Sequence, residues 1–418
     1  MIYSFSKHLL WLLGALFAAV LTAGEMQIIA TGDLHGRLDK LAALAPLMQK
    51  YPDAVKIDLG DLFHGDPVND LLSGVPAFEA LSLLKYDFFI PGNHDFELPP
   101  EQLSKSLQSF SGEILSQNLP GQNRWWRVVK KGGIVCGIIG SSGNSVARNA
   151  RFFPGLSSLQ ELSAIDQALA ELRKQHCDLI ILARHGGDYF DGKTAGSVLR
   201  DRPEIKLMLC AHTHREIPGR RSGRTLIVQP GAYGSSAALI RIQKIPRPGG
   251  KGNSIRLLSS LEKASGHPAE AVLAIRKKHR RENRKLLEQN VVEIDDITTF
   301  TATVLQSAKQ LSGSDCATVD LPSELPRRLT RYKFLQKFPY RNYLCTVKAK
   351  PEEIKAFLKE HPAAGFRRTA SEIPEGKTEV VLALSTFQLS RSKALKQCQL
   401  LKICNIFERD IITGENIH

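Results

Sequence analysis

Five short motifs between residues 31 and 214 carry side chains able to hold metal ions and move protons. They are Asp33 and His35 in TGDLHG, Asp61 in DLGDLFHG, Asn93 and His94 in PGNHDFE, His185 in ARHGG, and His212 with His214 in AHTH. Imidazoles and carboxylates together suit borderline divalent ions, and an asparagine carbonyl adds a neutral oxygen. Asp33 and His35 are two residues apart, as are His212 and His214, so in extended backbone each pair leaves one face and can reach one centre. A carboxylate such as Asp61 can bridge two ions. Two ions about 3.5 to 4 Å apart activate a shared water and neutralise the attacking and leaving oxygens of phosphoryl transfer. Seven candidate ligands (Asp33, His35, Asp61, Asn93, His185, His212 and His214) are too many for one ion and suit two. A single strand-end histidine is more often a hydrogen-bonded loop residue than a ligand. The argument rests on recurrence, because the candidates include five of the twelve histidines, each at such a strand end.

Elements that could position these residues are legible around them. MQIIAT, AVKIDLG, YDFFIPG, GIVCGIIG, DLIILAR, KLMLCAH, TLIVQPG and AALIRI read as buried strands, and residues 37–50, 76–84 and 157–174 as helices. The motifs fall at the carboxyl ends of these strands, where open α/β sheets bind ligands. IPRPGGKGNS, residues 245–254, reads as a domain boundary or surface loop. Residues 268–289 read as one helix that starts apolar and becomes charged. Its run from Arg276 to Lys285 is either a solvated linker face or a polyanion-binding strip. These signals predict a catalytic domain over 25–244, a linker with a charged helix over 245–290, and a smaller α/β or α+β domain over 291–418.

The chain has 418 residues, enough for two domains of about 100 to 200 residues each. With 43% hydrophobic and 23% charged residues it is neither disordered, collagenous nor a polytopic membrane protein. The charge of +14 is uneven: residues 1–244 hold 26 Lys+Arg against 23 Asp+Glu, while 245–418 hold 30 against 19. A basic second half fits polyanionic substrates, nucleic acid or an anionic envelope surface, and charge does not choose among them. Lys7 and His8, the apolar run Leu9 to Leu21 and the small residues Thr22 to Gly24 have the layout of a signal peptide over 1–24. The expected location is therefore periplasmic or secreted, with no membrane span after cleavage. Seven cysteines, an odd number with no CxxC pair, leave at least one outside any intramolecular disulfide. Cys398 and Cys404 are near enough in sequence to be a candidate pair.

The ordered set TGDLHG, GDLFHGDP, GNHDFE, HGG, AHTH and VQPGAYGSS resembles the calcineurin-like binuclear metallophosphoesterases, and more closely the exported 5′-nucleotidase and UDP-sugar hydrolase family. DCATVD and FPYRNYLCTVKAKPEEIKAFL look like that family's C-terminal substrate domain. The resemblance implies a four-layer αββα sandwich followed by a smaller C-terminal domain. It implies two divalent ions (Mn, Zn, Fe or similar), one held by Asp33, His35, Asp61 and His214, the other by Asp61, Asn93, His185 and His212. It implies that His94 is not a ligand but stabilises charge on the phosphoryl or leaving group, supported by Glu97, where the family usually has Asp. Asp95 and Ala211 are milder departures. In the family the second domain supplies arginines and stacking rings. Here DLPSELPRR replaces an Asn-Gly-Gly loop, the late GDG-aromatic segment is absent, and Arg328, Arg341 and Phe366 stand as substrate-binding candidates. Arg327 lies beside Arg328.

The implied activity is phosphate removal from 5′-nucleotides or related phosphomonoesters by in-line attack of a metal-bridging hydroxide. Hydrolysis of cyclic nucleotides, UDP-sugars or other phosphodiester or pyrophosphate bonds is the alternative within the class. A polyanion-binding envelope protein with vestigial catalysis is the alternative outside it. No nucleic-acid-binding module is recognisable. His64 and Asp66 either touch substrate or cap a loop, Asp188 and Asp191 read as surface or supporting groups, and Gln229, Pro230, Gly231 and Gly234 as shaping the loop behind the site.

Overall fold

The computed structural model describes residues 24–119, 124–143, 161–190, 193–247, 252–339, 342–363, 366–407 and 412. The chain divides into two units: residues 1–63 with 73–276, and residues 64–72 with 277–418.

In the first unit the strands in chain order are β1 (Gly24–Thr31), β2 (Val55–Asp58), β3 (Phe88–Phe89), β4 (Glu113–Ile114), β5 (Trp126–Lys131), β6 (Ile134–Ser141) and β7 (Leu179–His185). There follow a short hairpin of β8 (Tyr189–Phe190) and β9 (Lys193–Thr194), then β10 (Ile205–Ala211), β11 (Ile217–Ser222), β12 (Thr225–Gln229), β13 (Ala237–Pro246) and β14 (Asn253–Glu262). They form two six-stranded sheets, ordered β14-β13-β1-β2-β3-β4 and β11-β12-β10-β7-β6-β5. β1 to β4 are parallel, as are β6, β7, β10 and β12; the antiparallel strands lie towards the edges.

The strands are apolar on both faces because both faces are covered. Met26, Ile28 and Ala30 of β1 enter a core shared with Ile138, Ile181, Leu209, Val228 and Ile240, whereas Ile29 joins Leu38, Leu41, Phe78 and Phe89 on the other side. In β7, Leu179, Ile181 and Ala183 face the inter-sheet core, while Ile180 and Leu182 meet Ile165 and Leu169. Period-two alternation between two apolar cores gives the near-continuous runs seen in the sequence. The helix α1 (Leu38–Lys50) buries Leu38, Leu41, Ala42, Ala45 and Met48, a single stripe at helical spacing. The result is the expected mixed α/β sandwich, helices outside and two sheets within.

Within the stretch 245–254, the described residues 245–247 and 252–254 face each other at the end of two paired strands. β13 and β14 pair over ten residues from Ala237–Glu262 to Pro246–Asn253. Ile255, Leu257 and Leu261 turn inward at alternate positions, the mark of a half-buried edge strand. Proline and glycine mark turns inside a domain as well as between domains. The predicted charged helix is two: α2 (Glu270–Glu282), whose Val272 is buried with the first unit's core, and α3 (Arg284–Glu288) after Asn283.

The second unit is built on a five-stranded sheet ordered β19-β16-β20-β18-β21, formed by β16 (Cys316–Pro322), β18 (Tyr343–Ala349), β19 (Phe366–Ala370), β20 (Val380–Ser385) and β21 (Gln399–Phe407). A separate pair joins β15 (Asn290–Glu293) to β17 (Arg328–Thr330). One apolar layer holds Val304, Leu305, Val319 and Leu321, the other Val347, Ile354, Phe357 and Leu382. The helix α4 (Ile297–Ser312) starts on Asp296, which accepts from the Thr299 amide, and stops at Gly313 with φ 68°. Cys398 is unbridged; its thiol meets Glu353 at 3.6 Å.

Candidate metal centre

The seven candidate ligands arrive on the carboxyl ends of five parallel strands from both sheets: Asp33 and His35 after β1, Asp61 after β2, Asn93 after β3, His185 ending β7, and His212 and His214 after β10. The loops are laced together by their backbones, with Asp33 N bonding Gly60 O, His35 N bonding Asp61 O and Gly187 N bonding Ala211 O, at 2.8, 2.9 and 2.8 Å. Asp33, His35, Asp61, His212 and His214 all have left-handed backbone, with φ between 47° and 81°. Such strain in non-glycine residues gathers where surrounding structure dictates side-chain aim.

Those conformations alter what the two-residue spacing does. The ligand atoms form two trios, Asp33–His35–His214 and Asp61–His185–His212, each with atoms within 4.8 Å of one another. His212 and His214 thus go to different trios, while Asp33 and His35, also left-handed, share one. Asn93 joins the second trio, its Oδ1 3.2 Å from His185 Nε2, which also lies 3.2 Å from Asp61 Oδ2. Gly92 permits this closeness: a Cβ there would meet Asp61 Oδ1 at 2.2 Å and His185 Cε1 at 2.6 Å.

The donor set fits divalent cations. His35 Nδ1 donates to Phe63 O and His185 Nδ1 to Leu59 O, so the Nε2 of each ring turns inward and offers a lone pair there once deprotonated. His35 Nε2 then faces His214 Nε2 at 3.3 Å, and His185 Nε2 faces two oxygen acceptors. Lone pairs facing lone pairs repel unless a proton or cation lies between them. Burial lowers His35 to about 3, and burial with the His185 charge lowers His212 to about 4, the neutral form that binds metals. Burial raises Asp33 to about 7. Burial opposes charge on Asp61 too, but His185 and His94 outweigh it and hold that carboxyl well below its usual range.

His94 and Glu97 form a separate dyad beside these ligands. His94 Nδ1 lies 2.8 Å from Glu97 Oε1, with the imidazole 23% and the carboxylate 4% exposed. Burial disfavours the imidazolium, yet the Glu97 and Asp61 carboxylates raise His94 to about 10. The His94 amide donates to Asp61 Oδ1 at 2.9 Å.

Other supports carried little sequence signal. The buried Asp95 carboxylate accepts from the amides of Gly92, Asp61, Leu62 and Phe63, at 2.7 to 3.3 Å. Arg184, buried next to His185, pairs with buried Glu161 and donates to the carbonyls of Gly186 and Gly187. Gln229 bonds Thr213, between the two ligands of AHTH. Tyr233 sets its ring 5.2 Å from that of His35 and 5.0 Å from that of His214. Its only sequence cue was the glycine-flanked loop after β12.

In the second unit, Arg328 on β17 pairs with Glu293, and neighbouring Arg327 with Asp295. Phe366 begins β19, half-buried against that unit's core. Arg341 lies outside the described residues, as do Asp191 and residues 1–23. Asp66 caps the short helix Pro67–Leu71 by accepting from the amides of Val68 and Asn69, and His64 Nδ1 meets Asp70 Oδ1 at 2.7 Å. Asp188 is held by Arg215 and Arg220.

Residues 26–216 match the family model described as calcineurin-like phosphoesterase. Protein UshA of Yersinia enterocolitica is 30% identical over 143 residues, covering 32% of this chain and 26% of UshA. A 5′-nucleotidase of Vibrio cholerae is 30% identical over 193 residues, covering 40% of this chain and 35% of the relative. The matched stretches thus span only about a quarter to a third of these relatives' own lengths. Among solved structures, a 5′-nucleotidase precursor from Thermus thermophilus superposes with a TM-score of 0.62 at 16% identity over 93% of this chain and 96% of that one. The Haemophilus influenzae NAD nucleotidase gives 0.60 at 14% identity over 93% and 97%. At such identities the likeness is one of fold.

Proposed function

We propose, from a chain that carries a calcineurin-like phosphoesterase domain and has 5′-nucleotidase homologues, that it is a metal-dependent hydrolase of phosphomonoesters, 5′-nucleotides foremost. The observation that carries the reading is the pair of ligand trios meeting at the carboxyl edge of two sheets. Asp33, His35 and His214 would hold one ion, Asn93, His185 and His212 a second, with Asp61 shared between them. Two divalent ions bound there supply Lewis-acid polarisation of phosphoryl oxygens and lower the pKa of a water nucleophile.

The remaining chemistry belongs to the chain's own side chains. His94 presents a charged imidazole to the phosphoryl or leaving oxygen, with its proton on the exposed side of the ring. Glu97, accepting at Nδ1, fixes the ring and sustains that charge. Asp95 holds the turn that carries Asp61. Arg328, Arg341 and Phe366 stand in this reading as substrate contacts of the second unit. Export to a periplasm or beyond belongs to it as well, as does electrostatic contact with an anionic envelope. No helix among the described residues is long and apolar enough to cross a membrane.

The test is phosphate release by the full chain from AMP, UDP-glucose, a cyclic nucleotide and a generic phosphodiester, with and without chelator, beside His94→Ala. Chelator-sensitive turnover fastest with AMP and collapsing in the variant is expected. Turnover indifferent to chelator would overturn the metal-dependent reading, and a faster diester or UDP-glucose would replace the substrate class.

A further inference from the structure

The two loops that deliver His185 and His214 are also joined at their solvent side by charge. Asp188 follows His185 by three residues and Arg215 follows His214 directly; Arg215 Nη2 reaches Asp188 Oδ1 at 2.9 Å, and Arg220 Nη2, from β11, reaches Oδ2 at 2.5 Å. The Asp188 carboxylate is 10% exposed, whereas the arginines are 59% and 50% exposed. Two cations share one anion, so the cluster keeps a net positive charge next to the ligand loops. The remaining acid in the segment HTHREIPGRRSGR is Glu216, which accepts from the hydroxyls of Ser235 and Ser236. A buried carboxylate such as Asp188 needs one cation to balance its charge, and a second, half-exposed arginine adds little to stability, so folding does not account for both arginines at this rim. Among the described residues each guanidinium reaches Asp188 through Nη2, which leaves its planar fork able to receive phosphate or carboxylate oxygens.

We infer that Arg215 and Arg220 form a subsite for a second anionic group on the phosphoester, and that Asp188 opposes that group's charge. The inference rests on the phosphoesterase reading and narrows its substrate class to esters bearing a second phosphate or similar charge near the scissile one.

Adenosine 3′,5′-bisphosphate against AMP isolates the extra charge on one nucleoside. Turnover and calorimetric binding of both would be measured for wild type, Arg215→Met, Arg220→Met and Asp188→Asn. The bisphosphate-to-AMP ratio of kcat/KM should fall about tenfold in each arginine variant and rise in Asp188→Asn, with the ratio of affinities following. A cluster that merely braces the loops would move all three variants in one direction, and that outcome, or ratios constant within twofold, overturns the inference. Without turnover of either ester, binding ratios that still follow the opposite-sign pattern would support the subsite while sinking the hydrolase reading. Flat binding ratios would sink the subsite.

Discussion

Glu97 sits one methylene further from its backbone than an aspartate would, yet its carboxylate still reaches His94 Nδ1 at 2.8 Å. The dyad's electrostatics therefore survive the longer arm. His94 is raised to about 10 from a usual value near 6.5, so its charge persists through neutral pH and is lost as pH rises through 10. Removing the Glu97 charge lowers that value. The alkaline limb of the kcat profile in Glu97→Gln should move toward neutrality, and an unchanged limb would separate His94's charge from catalysis. His185 makes a second pH prediction. Burial opposes its charge, but the Asp61 and Asp33 carboxylates raise it to about 9, so the metal-free ring carries both protons at pH 7. A cation must displace the Nε2 proton. Calorimetric titration with Mn²⁺ in buffers of different ionisation enthalpy should show proton release, with affinity climbing about tenfold per pH unit between 7 and 9. The candidate residues that meet in the fold stood out in the sequence because each motif is local. Asp95 did not, since its meaning lies in amides 32 to 34 residues earlier as well as in Gly92.

Strands and helices supply what the motifs leave unsaid. Arg184 looks in sequence like an ordinary charged residue at a strand end, and Glu161 like the start of a helix. Only folding shows that they meet, with side chains 2% and 1% exposed, and tie the helix Glu161–Arg173 to β7 beside His185. Breaking a buried pair from one side strands a charge at a cost of about 3–5 kcal/mol. Arg184→Met should therefore lower stability by that amount in urea, and Arg184→Met with Glu161→Leu should recover most of it. Equal losses in the single and double variants would show that the carbonyls of Gly186 and Gly187, not the ion pair, are what Arg184 serves. The long hairpin of β13 and β14 teaches a related lesson. The prolines and glycines of residues 246–252 are conspicuous in sequence, while the alternation of Ile255, Leu257 and Leu261 that betrays the strand is diluted by Leu258 and two serines.

Each unit has its own apolar layers, two of them lying on either side of the second unit's sheet. Both trios formed among the seven candidate ligands belong to the first unit. Binding stabilises the state that binds, so metal should raise a melting transition of the first unit and leave that of the second in place. Differential scanning calorimetry with Mn²⁺ and with chelator would read this, and a single transition moving as one would mean that the units unfold together. The two-unit organisation was legible in sequence from the weaker patterns beyond residue 290. The placement of residues 64–72 was not, because nine residues within the ligand-bearing region carry no compositional sign of belonging with residues 277–418.

That nine-residue excursion bears on how such a protein can be divided or inherited. The chain passes between units after residues 63, 72 and 276, so no single cut yields two self-sufficient pieces. Ending the chain at 276 would leave Leu71 without the core it packs against, and transplanting 277–418 onto another host would omit Asp66 to Leu71 altogether. A gene fusion or recombination event at the obvious boundary would therefore move an incomplete module. The excursion begins three residues after Asp61, the carboxylate proposed to be shared between the ions, so the Asp61 loop and the second unit's integrity are mutated, or preserved, as one hereditary block.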